Sequence, residues 1–141
     1  MAEDYEPKLL YVLCSWCGSG GSESARAHGL KYPANVLLYR VNCTGSLPAV
    51  HILRALLEGA DGVAVSGCHP GDCHYEEGNY HARRRVALTK AILGALDLGE
   101  DRLWFRFVAH GEGRRFVDTA SEFNDYLKES GPNPLNRITT T

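Results

Sequence analysis

The chain lacks a strong charge excess, an apolar run long enough to span a bilayer, and a basic, apolar leader. Its 141 residues carry 15 Lys and Arg against 17 Asp and Glu, for a formal charge of −2. Such near-balance is not the strongly basic footprint of a nucleic-acid binder. No apolar stretch reaches the roughly 18 residues of a membrane span, and the segment Met1 to Pro7 is acidic and polar. The expectation is a soluble, cytoplasmic protein. An even cysteine count is missing too. Five cysteines without an export signal argue against a disulfide framework and for metal binding or thiol chemistry in a reducing compartment. A chain of this length hides roughly two-thirds of its unfolded surface, so no covalent staple is required. Residues 1–141 are therefore expected to form one domain, with a core over about 8–130 and a polar tail at 131–141.

What is present is an alternation of strand and helix patterns. Lys8 to Leu13 is a short apolar, β-prone run that stops at Cys14, and a Gly/Ser-rich stretch from Cys17 to Ser24 follows. A short helix is expected over Ser22 to His28, ending at Gly29, and then a second strand from Val36 to Val41, with Cys43 just beyond it. Ser46 or Leu47, with Pro48 early in the helix, starts a helix whose core face reads as Val50, Leu53 and Leu57. Gly62 to Ser66 is a third strand and delivers Cys68. The loop Gly67 to Gly78 carries Cys73 and closes on Asn79 as N-cap of a helix running to about Leu96, with Val86, Thr89, Leu93 and Leu96 inward. Leu103 to Ala109 makes a fourth strand, and Phe116, Ala120, Phe123 and Leu127 recur at helical spacing until Gly131 and Pro132.

This order predicts an α/β fold: an open, flavodoxin-like parallel sheet of about four strands in the order 2-1-3-4, with helices on both faces. Ligands of such sheets sit beyond the carboxyl ends of the strands, where the strand order reverses. Cys14, Cys43 and Cys68 follow strand ends and Cys73 lies on the loop after the third, so four thiols are expected at that crevice.

Three chemistries compete for them. Structural zinc usually takes two close pairs, and only Cys14-Ser15-Trp16-Cys17 has that spacing. Dithiol redox chemistry would use that pair and leave three cysteines unexplained. A phosphatase-type loop needs an arginine at a fixed short distance after its cysteine; the residues six after Cys14, Cys17, Cys68 and Cys73 are Gly20, Glu23, His74 and Asn79. An iron–sulfur cluster, [2Fe–2S] or [4Fe–4S], fits better, with Gly18, Gly20, Gly21, Gly45, Gly67 and Gly71 allowing backbone N–H groups to approach the sulfurs. His69 and His74 adjoin the loop cysteines directly, whereas a Rieske pattern places each histidine two residues on. They read as hydrogen-bonding or surface groups. His28, His51, His81 and His110 carry no pattern. Arg83, Arg84 and Arg85 turn by about 100° each on a helix, so the three cannot share one face.

The run Gly67-Cys68-His69-Pro70-Gly71-Asp72-Cys73-His74-Tyr75, then Gly78-Asn79-Tyr80 and Arg83-Arg84, resembles the signature of the delta (iron–sulfur) subunit of methyl-viologen-reducing hydrogenase, with Cys14-Ser15-Trp16-Cys17 and Cys43 upstream. The resemblance spans roughly Leu9 to Leu127. It implies a [2Fe–2S] electron-transfer subunit with no catalytic residues of its own. Electrons would pass between a hydrogenase or formate dehydrogenase module and a heterodisulfide-reductase-type flavoprotein. The expected ligands are Cys14, Cys43, Cys68 and Cys73, with Cys17 the spare or a substitute for Cys14. Trp16, Tyr75 and Tyr80 are candidates for partner contacts. The alternative is a zinc-stabilised scaffold bridging the components of a larger complex.

Overall fold

The computed structural model describes residues 6–14, 23–67, 78–95, 99–108 and 112–133. Four strands, β1 (Leu9–Cys14), β2 (Val36–Val41), β3 (Gly62–Gly67) and β4 (Leu103–Phe107), pair in parallel in the order β2-β1-β3-β4. This is the expected topology. β1 and β3 are central and almost wholly buried, which is why both read as unbroken runs of small or apolar residues rather than as an alternation. β2 is an edge strand and leaves Leu37 and Tyr39 largely exposed.

Helices cover both faces. On one side α1 (Ala49–Leu57) and α2 (Gly78–Ala95) close a core of Val12, Ile52, Leu56, Val63, Val65, Val86 and Leu93. On the other, a helical turn at residues 23–27 and α3 (Gly113–Ser130) cover Leu9, Tyr11, Leu13 and Ala64. α3 lies close on β3, since a Cβ at Gly62 would come within 2.6 Å of Leu127 and 2.8 Å of Phe123. Phe123 also stacks on Trp104 at 4.4 Å between centroids, a contact worth about 0.5–1.5 kcal/mol beyond its buried area.

The local expectations need three corrections. α1 buries Ile52 and Leu56, not Val50, Leu53 and Leu57; Val50 and Leu57 are exposed and Leu53 half-buried. The helix is apolar on two sides, so spacing alone left its phase open, and Leu47 and the sheet select the Ile52 side. Asn79 is the second residue of α2 rather than its cap, because the first turn already begins at Gly78. The first and third strands each run one residue further than expected, taking in Cys14 and Gly67, and the fourth ends at Phe107, before Val108. Leu96 and Ala109 lie outside the described residues.

The amino edge of the sheet is tied by side chains. The Asp61 carboxylate accepts hydrogen bonds from the Lys8 and Asn133 backbone N–H groups at 2.8 and 2.9 Å. The buried Arg102 guanidinium donates to the Asp61 and Gly131 carbonyls, each at 3.0 Å. Asn133, 1 % exposed, donates its side-chain amide to the Leu56 and Ala60 carbonyls, so the chain stays anchored past α3.

Two hydroxyls inside the α3-side core, Tyr11 Oη and Ser66 Oγ, are buried and make no hydrogen bond of good geometry among the described residues, although the Ser66 and Thr119 hydroxyls lie close enough to the phenol to act on it. Burial pushes the Tyr11 phenol from 10.0 up to about 12, against smaller opposing effects of the Ser66 and Thr119 hydroxyls and the Arg106 and Arg115 charges. The folded state therefore holds this proton more tightly than the unfolded chain. Its contribution to stability is complete below pH about 10 and is lost as pH rises toward about 12. Tyr11→Phe should match the parent within about 0.5 kcal/mol, or exceed it, in urea unfolding near pH ~8. It should also lose less stability above pH ~10. A loss of more than about 1 kcal/mol near pH ~8 would mean that the hydroxyl is bonded.

Candidate functional site

Parallel strands end at one edge, and the register shows which residues meet there. Cys14 pairs with Val41 across β1 and β2, and Gly67 with Phe107 across β3 and β4. Between β1 and β3 the pairing runs to Val12↔Val65, and two further residues along each strand reach Cys14 and Gly67. The carboxyl edge therefore runs Val41, Cys14, Gly67, Phe107. Cys14 is 3 % exposed. Side chains alternate along a strand, so Cys14 shares the face of Val12, which packs with α1 and α2, and not that of Leu13, which packs under α3.

Cys43 stands two residues beyond Val41 and caps the 3-10 turn Thr44–Ser46 in extended backbone conformation. Its carbonyl accepts from the Ser46 N–H at 3.0 Å and from the Ser46 hydroxyl at 2.6 Å. The residue is half-buried. Thr44, the first residue of the turn, and Leu47, just past it, are buried, and Leu47 belongs to the core under α1 and α2. The Cys43 turn and Cys14 therefore lie on the same face of the sheet.

The N-terminus of α2 completes this corner. A Cβ at Gly45 would fall 2.5 Å from the Gly78 carbonyl oxygen and 2.7 Å from its Cα, so the Cys43 turn lies backbone to backbone on the first residue of α2. At the next strand end, a Cβ at Gly67 would fall 3.4 Å from the Asn79 Cβ and 2.9 Å from the Phe105 ring. Gly67 and Gly78 are the two anchors between which residues 68–77 run. Arg85, further along α2, donates from Nη1 to the carbonyls of Gly45 and Leu47, at 2.5 and 2.8 Å.

Of the expected ligands, Cys14 and Cys43 are brought to this edge, while Cys17, Cys68 and Cys73 lie outside the described residues, as do Trp16, His69, His74, Tyr75 and His110. Among the described residues no three His, Cys, Asp or Glu side chains form a metal-binding group. His28, His51 and His81 are exposed, in keeping with their lack of pattern. The arginine run divides as helical geometry requires: Arg83 and Arg84 face out and Arg85 turns inward. Sequence reasoning read Gly45 as room for an N–H to reach sulfur. In the structure Gly45 leaves room for Gly78. Neither that contact nor the Arg85 grip leaves a periodic mark, since each joins residues more than thirty positions apart.

The geometry defines a flavodoxin-like α/β protein with thiols collected at the carboxyl edge of its sheet, on the α1/α2 face. The chain belongs to the family of the methyl-viologen-reducing hydrogenase delta subunit, whose profile matches residues 9–131. It is 39% identical to the vhc iron-sulfur subunit of the F420-non-reducing hydrogenase of Methanococcus voltae, over 99% of this chain and 96% of that one. It is 38% identical to the iron-sulfur subunit of the F420-non-reducing hydrogenase of Archaeoglobus profundus, over 94% of this chain and 96% of that one. It also resembles part of one chain of the ferredoxin/F420H2-dependent CoB-CoM heterodisulfide reductase of Methanosarcina acetivorans. That likeness has 34% identity and covers 89% of this chain but 16% of the larger protein. Among the described residues no helix is long and apolar enough to cross a membrane.

The close approach at Gly45 gives a direct test. Gly45→Ala should lower the unfolding free energy by about 1–3 kcal/mol in urea titrations, because backbone on both sides must move to admit one methyl group. Wild-type unfolding of this variant would show that the turn and α2 are not in contact.

Proposed function

We propose that this chain, as one cytoplasmic domain, binds a single [2Fe–2S] cluster through Cys14, Cys43, Cys68 and Cys73, with Cys17 as the spare thiol. In this reading it relays electrons between an oxidoreductase module, a hydrogenase or formate dehydrogenase, and a heterodisulfide-reductase-type flavoprotein. The observation that carries the reading is the convergence of Cys14 and the Cys43 turn on one face of the carboxyl edge, beside the anchors of the segment that holds Cys68 and Cys73. Thiolates are soft donors suited to iron–sulfur centres, so the donor set fits such a group. The names of the relatives support it, since those from Methanococcus voltae and Archaeoglobus profundus are called iron-sulfur subunits.

When bound, such a cluster supplies a one-electron couple. The residues do the rest. Cys14, on a central strand, holds its sulfur in a dry, rigid position, and the turn closed by Ser46 holds Cys43 at the rim. Burial on the sheet side and partial exposure at Cys43 set how much water reaches the sulfurs, and with it the potential. Partners are supported by two further facts. The Methanosarcina acetivorans protein carries a stretch like this chain within a heterodisulfide reductase, which supports work against a chain of that type. The outward side of α2 also carries Leu88 and Ile92, 61% and 39% exposed, an apolar surface of the kind that is presented to a neighbouring protein.

Chain purified without oxygen should show visible absorption and, once reduced, an electron paramagnetic resonance signal. Serine at Cys43, Cys68 or Cys73 should abolish or strongly alter both, while Cys17→Ser should keep much of them. Loss in Cys17→Ser with retention in Cys14→Ser would exchange those two assignments. A colourless protein holding stoichiometric zinc would instead support the scaffold reading.

A further inference from the structure

We infer that Arg85 is a positioning residue for the cluster: it grips the turn that carries Cys43 and so fixes that ligand relative to α2 and the carboxyl edge of the sheet. The inference rests on Cys43 being a ligand, as proposed above. It begins from a coincidence of spacing. Gly78 and Arg85 are seven residues apart on α2, close to two full turns, so they lie on one side of the helix. Both act on the same short stretch. Gly78 meets Gly45 backbone to backbone, and Arg85 Nη1 donates to the carbonyls of Gly45 and Leu47. The turn is thus held at two points by the helix that begins where residues 68–77 end.

The turn needs such a hold. Thr44–Ser46 is only three residues long. Its internal bonds, Ser46 N–H and hydroxyl to the Cys43 carbonyl and Leu47 N–H to the Thr44 carbonyl, fix its shape, and burial of Thr44 and Leu47 seats its inner side. The carbonyls of Gly45 and Leu47 project toward α2, and Arg85 is the side chain that satisfies both. Without it two part-buried acceptors lose their donor at the edge of the core, and the α2 side of the turn is held by the Gly78 contact alone. A metal ligand on a turn loosened in this way samples several geometries. Arg83 and Arg84, two positions and one position earlier, are exposed and serve as internal controls for loss of charge on the same helix.

The test uses the full chain with its cluster, comparing wild type with Arg85→Ala, Arg85→Lys, Arg83→Ala and Arg84→Ala. Three quantities are read: iron release to a chelator, the line shape of the reduced paramagnetic signal, and the urea midpoint. Arg85→Ala should release iron about ten-fold faster or more, the usual scale for a group that orients a metal ligand, and should broaden or split the signal. Arg83→Ala and Arg84→Ala should match wild type. Lysine can aim one ammonium at both carbonyls, as a single guanidinium nitrogen does here, so Arg85→Lys should restore most of the wild-type release rate and line shape. Unchanged release and line shape in Arg85→Ala overturns the inference while leaving the cluster in place, and so does a lowered urea midpoint with an unchanged signal. Absence of iron from wild type overturns both this inference and the function it rests on.

Discussion

The structure depends on the parallel register of β1 between β2 and β3. β1 is buried on both faces, and its pairing sets Cys14 level with Val41 on one side and two residues past Val12↔Val65 on the other. Strand periodicity makes this register unforgiving, because a slip of one residue would carry Cys14 from the α1/α2 face to the α3 face. The same slip would bring Tyr11 out from against Phe116, whose ring lies 5.1 Å from it, and lift Leu13 out of the second core. The packing that stabilises the domain therefore also decides which side of the sheet the first thiol occupies.

The two ends of the sheet are built differently. At the amino edge, polar side chains lock backbone groups that the strands leave over: Asp61, Arg102 and Asn133 reach Lys8, Leu56, Ala60 and Gly131. Buried acceptors and donors are matched there, so this end is rigid. At the carboxyl edge the work falls to glycines and one arginine. Gly45 lets the Cys43 turn meet the first residue of α2 backbone to backbone, Gly67 leaves room for the Phe105 ring, and Arg85 fastens the turn. An edge assembled from backbone contacts depends on the absence of a side chain at Gly45. It also makes the position of each thiol sensitive to a single methyl group.

Much of this was legible in the chain. Apolar runs bounded by glycine gave the four strands, and the alternation with helices gave the order 2-1-3-4, because parallel neighbours require crossovers. The placement of Cys14 and Cys43 at one edge followed from that topology. The phase of α1 did not, since Val50, Leu53 and Leu57 are as apolar as Ile52 and Leu56 and only the sheet distinguishes them. Nor did the two-point grip on the Cys43 turn. Arg85 sits in a run of three arginines that reads as a solvated surface, and only tertiary contact separates it from its neighbours. The loop motif around Cys68 and Cys73 was the most specific sequence signal, and family membership over residues 9–131 agrees with it.

The central claim is that sulfur atoms at this edge hold a two-iron cluster. Iron-57 Mössbauer spectroscopy of the chain, combined with iron and acid-labile sulfide analysis, tests it most directly. The account predicts two irons and two sulfides per chain, with both irons in tetrahedral all-sulfur coordination. Four irons per chain, or an iron-free protein with zinc in their place, would contradict it.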